Sequence, residues 1–272
     1  MKNESDKIKM KSAHIDEIFR LIHDEKLDFL YNTHSLNNKF HTSTSKLRDY
    51  LLQSEKINYP DGKLPQISAI NPLGLSPKYQ LDFLGRGIPQ NCNQYCISLA
   101  SAMYYFPLTS DTTEGYFYTK ADLFFWNHID HGFRLASSGW DRIALLLNLG
   151  FNLQIKKYNL ASVLNALPKF VSEITTDYNF KKIKQFRDGK FRDLEMNLAG
   201  GARHETTHIL SRDTRFFLEF LEQFEPGSHK AEIRRKEELN ILREHYGHLL
   251  EGINSVYELI DAHFDKRYFY KG

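Results

Sequence analysis

Cysteine is scarce in this 272-residue sequence, which holds only Cys92 and Cys96. Two thiols cannot build a disulfide framework, and a metal site needs more ligands than these. Buried free thiols in a reducing compartment are expected. Net charge is also small: 36 basic residues stand against 34 acidic ones, leaving +2. That balance excludes a generic polycation that coats nucleic acid, although a local basic groove remains compatible with it. Long apolar runs are missing too. The greasiest stretch, Ile143 to Phe151, falls well short of the roughly 20 residues a helix needs to cross a bilayer. The polar start Met1-Lys2-Asn3-Glu4-Ser5-Asp6-Lys7 lacks a secretory signal, so a cytoplasmic protein with no membrane partner is expected. No glycine-rich phosphate loop occurs, because Gly85-x-Gly87 lacks the later glycine and the Lys-Ser/Thr pair. No repeat, low-complexity tract or Ser, His and Asp constellation stands out.

Aromatic residues, in contrast, are plentiful, with 20 Phe and 15 Tyr in a chain that is 41% hydrophobic. Their spacing is helical in most of the chain. Ile15, Ile18, Phe19, Ile22, Leu27 and Leu30 place a helix in residues 11–31, and a short one follows Ser45. From Tyr59 to Pro89 the prolines Pro60, Pro65, Pro72, Pro77 and Pro89 and four glycines predict an irregular segment without a long helix. A helix is expected from Asn91 to Met103. The strongest one spans Thr119 to Phe151, where Leu123, Trp126, Ile129, Phe133, Trp140, Ile143 and Leu147 form a stripe and Gly132 and Gly139 mark bends. Further helices are expected at 159–168, 178–199, 206–224 and 229–266, with Gly200-Gly201 breaking one and Ser228 capping the last. The fold class is therefore all-α: a helical bundle over residues 111–272 and an N-terminal helical and irregular extension over 1–110.

One segment carries chemistry: Arg203-His204-Glu205-Thr206-Thr207-His208. His204-Glu205-x-x-His208 satisfies the pattern of a zinc hydrolase. On a helix, histidines four apart lie about 40° apart in projection and can share a metal, with Glu205 as base for the bound water. Against this stand Arg203 beside the first ligand, Thr214 where a longer zincin motif has His, and no singled-out third ligand among Glu219, Glu222 and Glu225.

The same residues, read as Arg203-x4-His208 with the polar His204 after the arginine, resemble the R-polar-x3-H motif of the HEPN superfamily. The helix holding Trp140-Asp141-Arg142-Ile143, the helix leading into the motif and the long one after it match that family's four-helix order over roughly residues 115–268. Leu210 stands where many toxin members carry a tyrosine. The resemblance implies a homodimeric, metal-independent endoribonuclease that needs no cofactor, with toxin–antitoxin or phage-defence settings and an antitoxin as further partner. Arg203 would stabilise the phosphorane, His208 would act as general acid and base, His204 would position phosphate or Arg203, and Asp141 would orient the arginine. The products would be a 2′,3′-cyclic phosphate and a 5′-hydroxyl. Arginine and histidine suit that reaction because a guanidinium fork neutralises developing charge and imidazole titrates near neutrality. Residues five apart on a regular helix lie about 140° apart. Convergence thus requires either irregular backbone after Gly200-Gly201 or a two-fold dimer that pools both motifs.

Lys181, Lys182, Lys184, Arg187, Lys190 and Arg192 form a basic stretch before the motif. Lys182, Arg187, Lys190 and Arg192 are the candidate RNA contacts. His128 and His131 read as a surface pair, and Arg234-Arg235-Lys236 before Glu237-Glu238 as surface ion pairing. A third function class stays open beside the two enzymes: a non-catalytic RNA- or protein-binding helical module that keeps the motif as a structural or phosphate-binding feature.

Overall fold

The computed structural model describes residues 4–27, 77–109, 119–151, 153, 155, 159–172, 178–224 and 230–264. Six α-helices carry nearly all of them: α1 (Glu4–Asp24), α2 (Pro77–Tyr105), α3 (Lys120–Gly150), α4 (Leu160–Ser172), α5 (Tyr178–Phe224) and α6 (Lys230–Phe264). A short 3-10 turn, Phe106–Leu108, follows α2, and no strand occurs among the described residues. The all-α expectation holds. The short helix after Ser45, the segment 59–76 and the cap at Ser228 lie outside the described residues.

The helix ends follow from local chemistry. Lys26 adopts a left-handed φ of 52° just past α1. The Leu27 amide reaches back to the Ile22 carbonyl at 2.9 Å and the Lys26 amide to that of His23 at 3.1 Å, closing a Schellman turn. Thr119 and Asp122 form a capping box before α3, the Thr119 amide bonding Asp122 Oδ2 at 2.8 Å and the Asp122 amide bonding Thr119 Oγ1 at 3.2 Å. Asn159 caps α4 through the Ser162 amide at 2.7 Å.

Two sequence expectations are corrected. Residues 77–89 are helical rather than irregular. Pro77 opens α2, where its missing N–H costs nothing. Pro89 removes one bond, but the face bearing Leu84, Ile88, Cys92, Tyr95 and Cys96 is buried and offsets that loss. Cys92 and Cys96 are free buried thiols, as expected. Gly200-Gly201 does not break the chain: α5 runs unbroken from Tyr178 to Phe224. Each glycine costs about 1 kcal/mol relative to alanine, too little to stop a helix anchored by packing on both sides. Both glycines are buried.

The chain forms two compact units. The first takes Met1–Asn32, Cys92–Ala136 and Gly200–Gly247, and the second takes Thr33–Asn91, Ser137–Ala199 and His248–Gly272. In the first, α2, α3 and α6 approach closely at Gly132. A Cβ there would meet Leu242 Cδ1 at 2.8 Å and the Tyr95 ring at 3.2 Å. The glycine serves this close packing. Tyr95 donates to the Leu242 carbonyl at 3.0 Å, and Tyr246 donates to that of Leu27 at 3.1 Å. Both hydroxyls are thereby satisfied in an apolar core of Ile22, Leu99, Phe125, Ile129 and Leu242.

In the second unit Gly252 admits Trp140, whose ring atoms would lie 2.6 Å from an added Cβ, and Gly139 admits Leu249 at 2.9 Å. Arg142 hydrogen-bonds the Gly87 carbonyl. Asn148 clasps the backbone of Ile155 with both amide atoms, at 3.2 and 3.1 Å. Lys190 Nζ pairs with Glu258 at 2.6 Å.

Candidate functional site

The motif lies in the middle of α5, within the first unit, and the helical period sorts its side chains. His204, His208 and Ser211 fall on one inner face and are buried. Arg203, Thr206, Thr207, Ile209 and Leu210 are exposed. Because α5 is continuous, Arg203 and His208 keep the divergent directions of residues five apart. The one remaining motif position, Glu205, is half-buried.

His208 is the centre of a buried ionic cluster. Its Nδ1 lies 2.6 Å from Glu238 Oε2 on α6, and its Nε2 lies 3.0 Å from Asp130 Oδ1 on α3. The ring stacks on Phe133 with centroids 4.1 Å apart and planes 9° off parallel. Burial by itself pulls the His208 pKa down. The hydrogen bonds and charges of Asp130 and Glu238 outweigh it, and the net shift is upward. The imidazolium form donates from both nitrogens, one to each carboxylate. Glu238 is fully buried, and its other oxygen accepts from the Ser211 hydroxyl and from Arg234. Two cations, His208 and Arg234, thus face two carboxylates in an interior where an unpaired charge would be costly.

Around this centre Arg235 pairs with Asp122 at 3.6 Å, both buried. His204 Nε2 lies 3.3 Å from Glu244, and the ring of buried His245 lies 5.5 Å from Phe133 and 6.3 Å from His204. The Tyr95 hydroxyl is pushed well up in pKa, first by burial and then by the charge of Glu205 and by Cys92.

The zinc pattern delivers half of its geometry. His204 and His208 share one face as the spacing predicts, but each ring points a nitrogen at a different carboxylate, and both nitrogens of His208 are engaged. Among the described residues no group of three or more His, Cys, Asp and Glu side chains is arranged to hold a metal ion.

The remaining candidates scatter. Asp141, expected to orient Arg203, is exposed and belongs to the second unit. The basic stretch is not a continuous cationic face. Arg187 is buried, and desolvation lowers its pKa against the opposing pull of Asp188. Lys190 is held by Glu258 and lies 3.6 Å from Asp193, while Arg192 is exposed. The Lys182 side chain lies outside the described residues. His131 is exposed, but His128 is half-buried and stacks on Tyr105 with centroids 5.8 Å apart. The expected surface pairing of Arg234 with Glu237 is present at 3.0 Å, yet Arg235 and Glu238 turn inward.

Sequence reasoning did not select Asp130, Phe133, Ser211 or Glu238 as partners of the motif. The Asp130–His208 pair spans 78 residues, and no local pattern reports such a distance. Glu238 had one signal, its place four residues after Arg234 on a helix.

Comparison of the chain with protein-family models, curated proteins and solved structures gives no match.

Proposed function

We propose that this chain is a non-catalytic helical module in which the Arg203–His208 segment has two faces with separate tasks. The inner face ties helices together through His208. The outer face meets a partner protein. The observation that carries this reading is the double engagement of His208: a ring with both nitrogens hydrogen-bonded to carboxylates and 5% exposure has no free nitrogen to take or give a proton to a substrate. The outer face supports the second half. Thr206 and Thr207 turn their hydroxyls back to the Ala202 and Arg203 carbonyls at 2.9 Å each, so those hydroxyls are spent within the helix. Ile209 and Leu210 beside them are 64% and 69% exposed. An exposed apolar strip with one arginine suits a protein surface.

The test is incubation of the purified chain with a broad RNA panel in EDTA, beside Arg203→Ala and His208→Ala. No cleavage by any of the three is expected. Cleavage by the wild type that Arg203→Ala abolishes while remaining folded would overturn the reading. Binding is tested by Leu210→Asp, which should release a protein partner retained by the wild type.

A second reading, a HEPN-type endoribonuclease, is favoured by two observations. Arg203 is exposed and available to a phosphate, and Asp130 and Glu238 shift the His208 pKa upward, the direction a general acid needs. It requires a second chain at the motif and release of His208 from its carboxylates. The same RNA panel decides between the two.

A further inference from the structure

Arg187 lies on the inner face of α5 in the second unit and is 3% exposed. Its Nε and Nη2 have no hydrogen-bond partner among the described residues. These two nitrogens form one edge of the guanidinium, the edge that offers two parallel N–H groups to two oxygens of a single anion. A guanidinium cannot shed its proton at ordinary pH, so a fork sealed from water without hydrogen bonds is costly to bury. The charge of Asp188 pulls against this desolvation, but no carboxylate among the described residues hydrogen-bonds the fork. Glu258 is taken on both oxygens, by Lys190 at 2.6 Å and by the Asn254 amide at 3.2 Å. Asp188, next in sequence, is exposed.

We infer that the Nε and Nη2 edge of Arg187 is a receptor for a phosphate-class oxyanion, either free phosphate or a phosphomonoester. Arg187 is then a discrete buried site and not one step in a surface track for an RNA backbone. Two oxygens of such an anion match the fork, and its charge supplies what the interior lacks. An anion on this edge is held away from water, where a charge-assisted fork is strong.

The experiment is thermal unfolding of the full chain in chloride buffer, with inorganic phosphate added at constant ionic strength. At about a hundred times its Kd, phosphate should raise the wild-type Tm by about 5 °C. Arg187→Met, which removes the charge and keeps much of the volume, should lose that increment and melt in chloride no lower than the wild type. Arg187→Lys keeps the charge without the fork and should retain less than half of the increment. It also serves if the methionine variant fails to fold. Adenosine 5′-monophosphate against adenosine separates the two sources: a rise with the nucleotide larger than with phosphate assigns a phosphomonoester, and a rise with phosphate alone assigns the free ion. A wild-type Tm that phosphate leaves unchanged overturns the inference, as does an increment that persists in full in Arg187→Met or Arg187→Lys.

Discussion

The imidazole of His208 and the carboxylate of Glu238, 30 residues apart in sequence, meet at 2.6 Å inside the first unit. With Asp130 at 3.0 Å on the other nitrogen, the ring joins three helices: α3, α5 and α6. A buried ion pair contributes little against a well-packed apolar replacement, but removing one partner strands the other. His208→Ala should therefore lower unfolding stability by about 3–5 kcal/mol, leaving Asp130 and Glu238 without their shared cation. Urea unfolding of His208→Ala, Glu238→Gln and the double variant closes a cycle. The two losses should be strongly non-additive, with a coupling of about 1–3 kcal/mol. Additive losses would mean that the two side chains act independently.

The same cluster sets a pH dependence with a definite sign. The folded-state pKa of His208 is raised above the ordinary imidazole value of about 6.5. Stability from its protonation is thus fully present below about pH 6.5 and is lost as pH rises through the higher folded value. The groups facing the ring are Asp130 from α3 and Glu238 from α6, with His245 beside Phe133. Urea midpoints of the wild type should fall as pH rises above about 6.5. In His208→Gln that decline should flatten. An unchanged slope in the glutamine variant would assign the pH dependence to another group, His245 being the first to replace.

Much of this arrangement follows from helical arithmetic that the sequence already contains. Apolar spacing located α3 and α6, and the four-residue step from His204 to His208 put both on one face. The five-residue step from Arg203 to His208 turned the arginine outward. What the sequence concealed is tertiary. Asp130 looked like a neighbour of two surface histidines, and Glu238 looked like half of a surface charge pair. Only the packing of three helices brings both carboxylates to one imidazole. Gly200-Gly201 misled in the opposite direction, because local propensity suggests a break that burial of the same two residues overrides. Arg187 was legible as basic but not as buried, since a cation on the inner face of a helix contradicts the usual partition of charge to the surface.

Arg203 and His208 should separate experimentally as their environments do. Arg203 is exposed on α5, and its replacement by alanine should change stability by no more than about 0.5 kcal/mol. His208→Ala should carry the far larger loss argued above. Circular dichroism melts of the two variants under one buffer are sufficient. Equal destabilisation would remove the division of the segment into an inner tie and an outer face.

The helix glycines provide a test of packing that is independent of any charge. Gly189 and Gly247 have no heavy atom within 4 Å of a Cβ placed on them, so alanine there should stabilise by about 1 kcal/mol through helix propensity alone. Gly252 is the opposite case: its Cβ would sit 2.6 Å from the Trp140 ring, a rigid group with no flexible end to withdraw. Gly252→Ala should therefore cost about 1–3 kcal/mol net of the propensity gain. Gly132→Ala meets Leu242 and the edge of Tyr95 and should lose less, because the leucine can rotate. The expected order of urea midpoints is Gly189→Ala above the wild type, then Gly132→Ala, then Gly252→Ala. Gly252→Ala standing at or above the wild type would show that Trp140 is not seated against α6 as described.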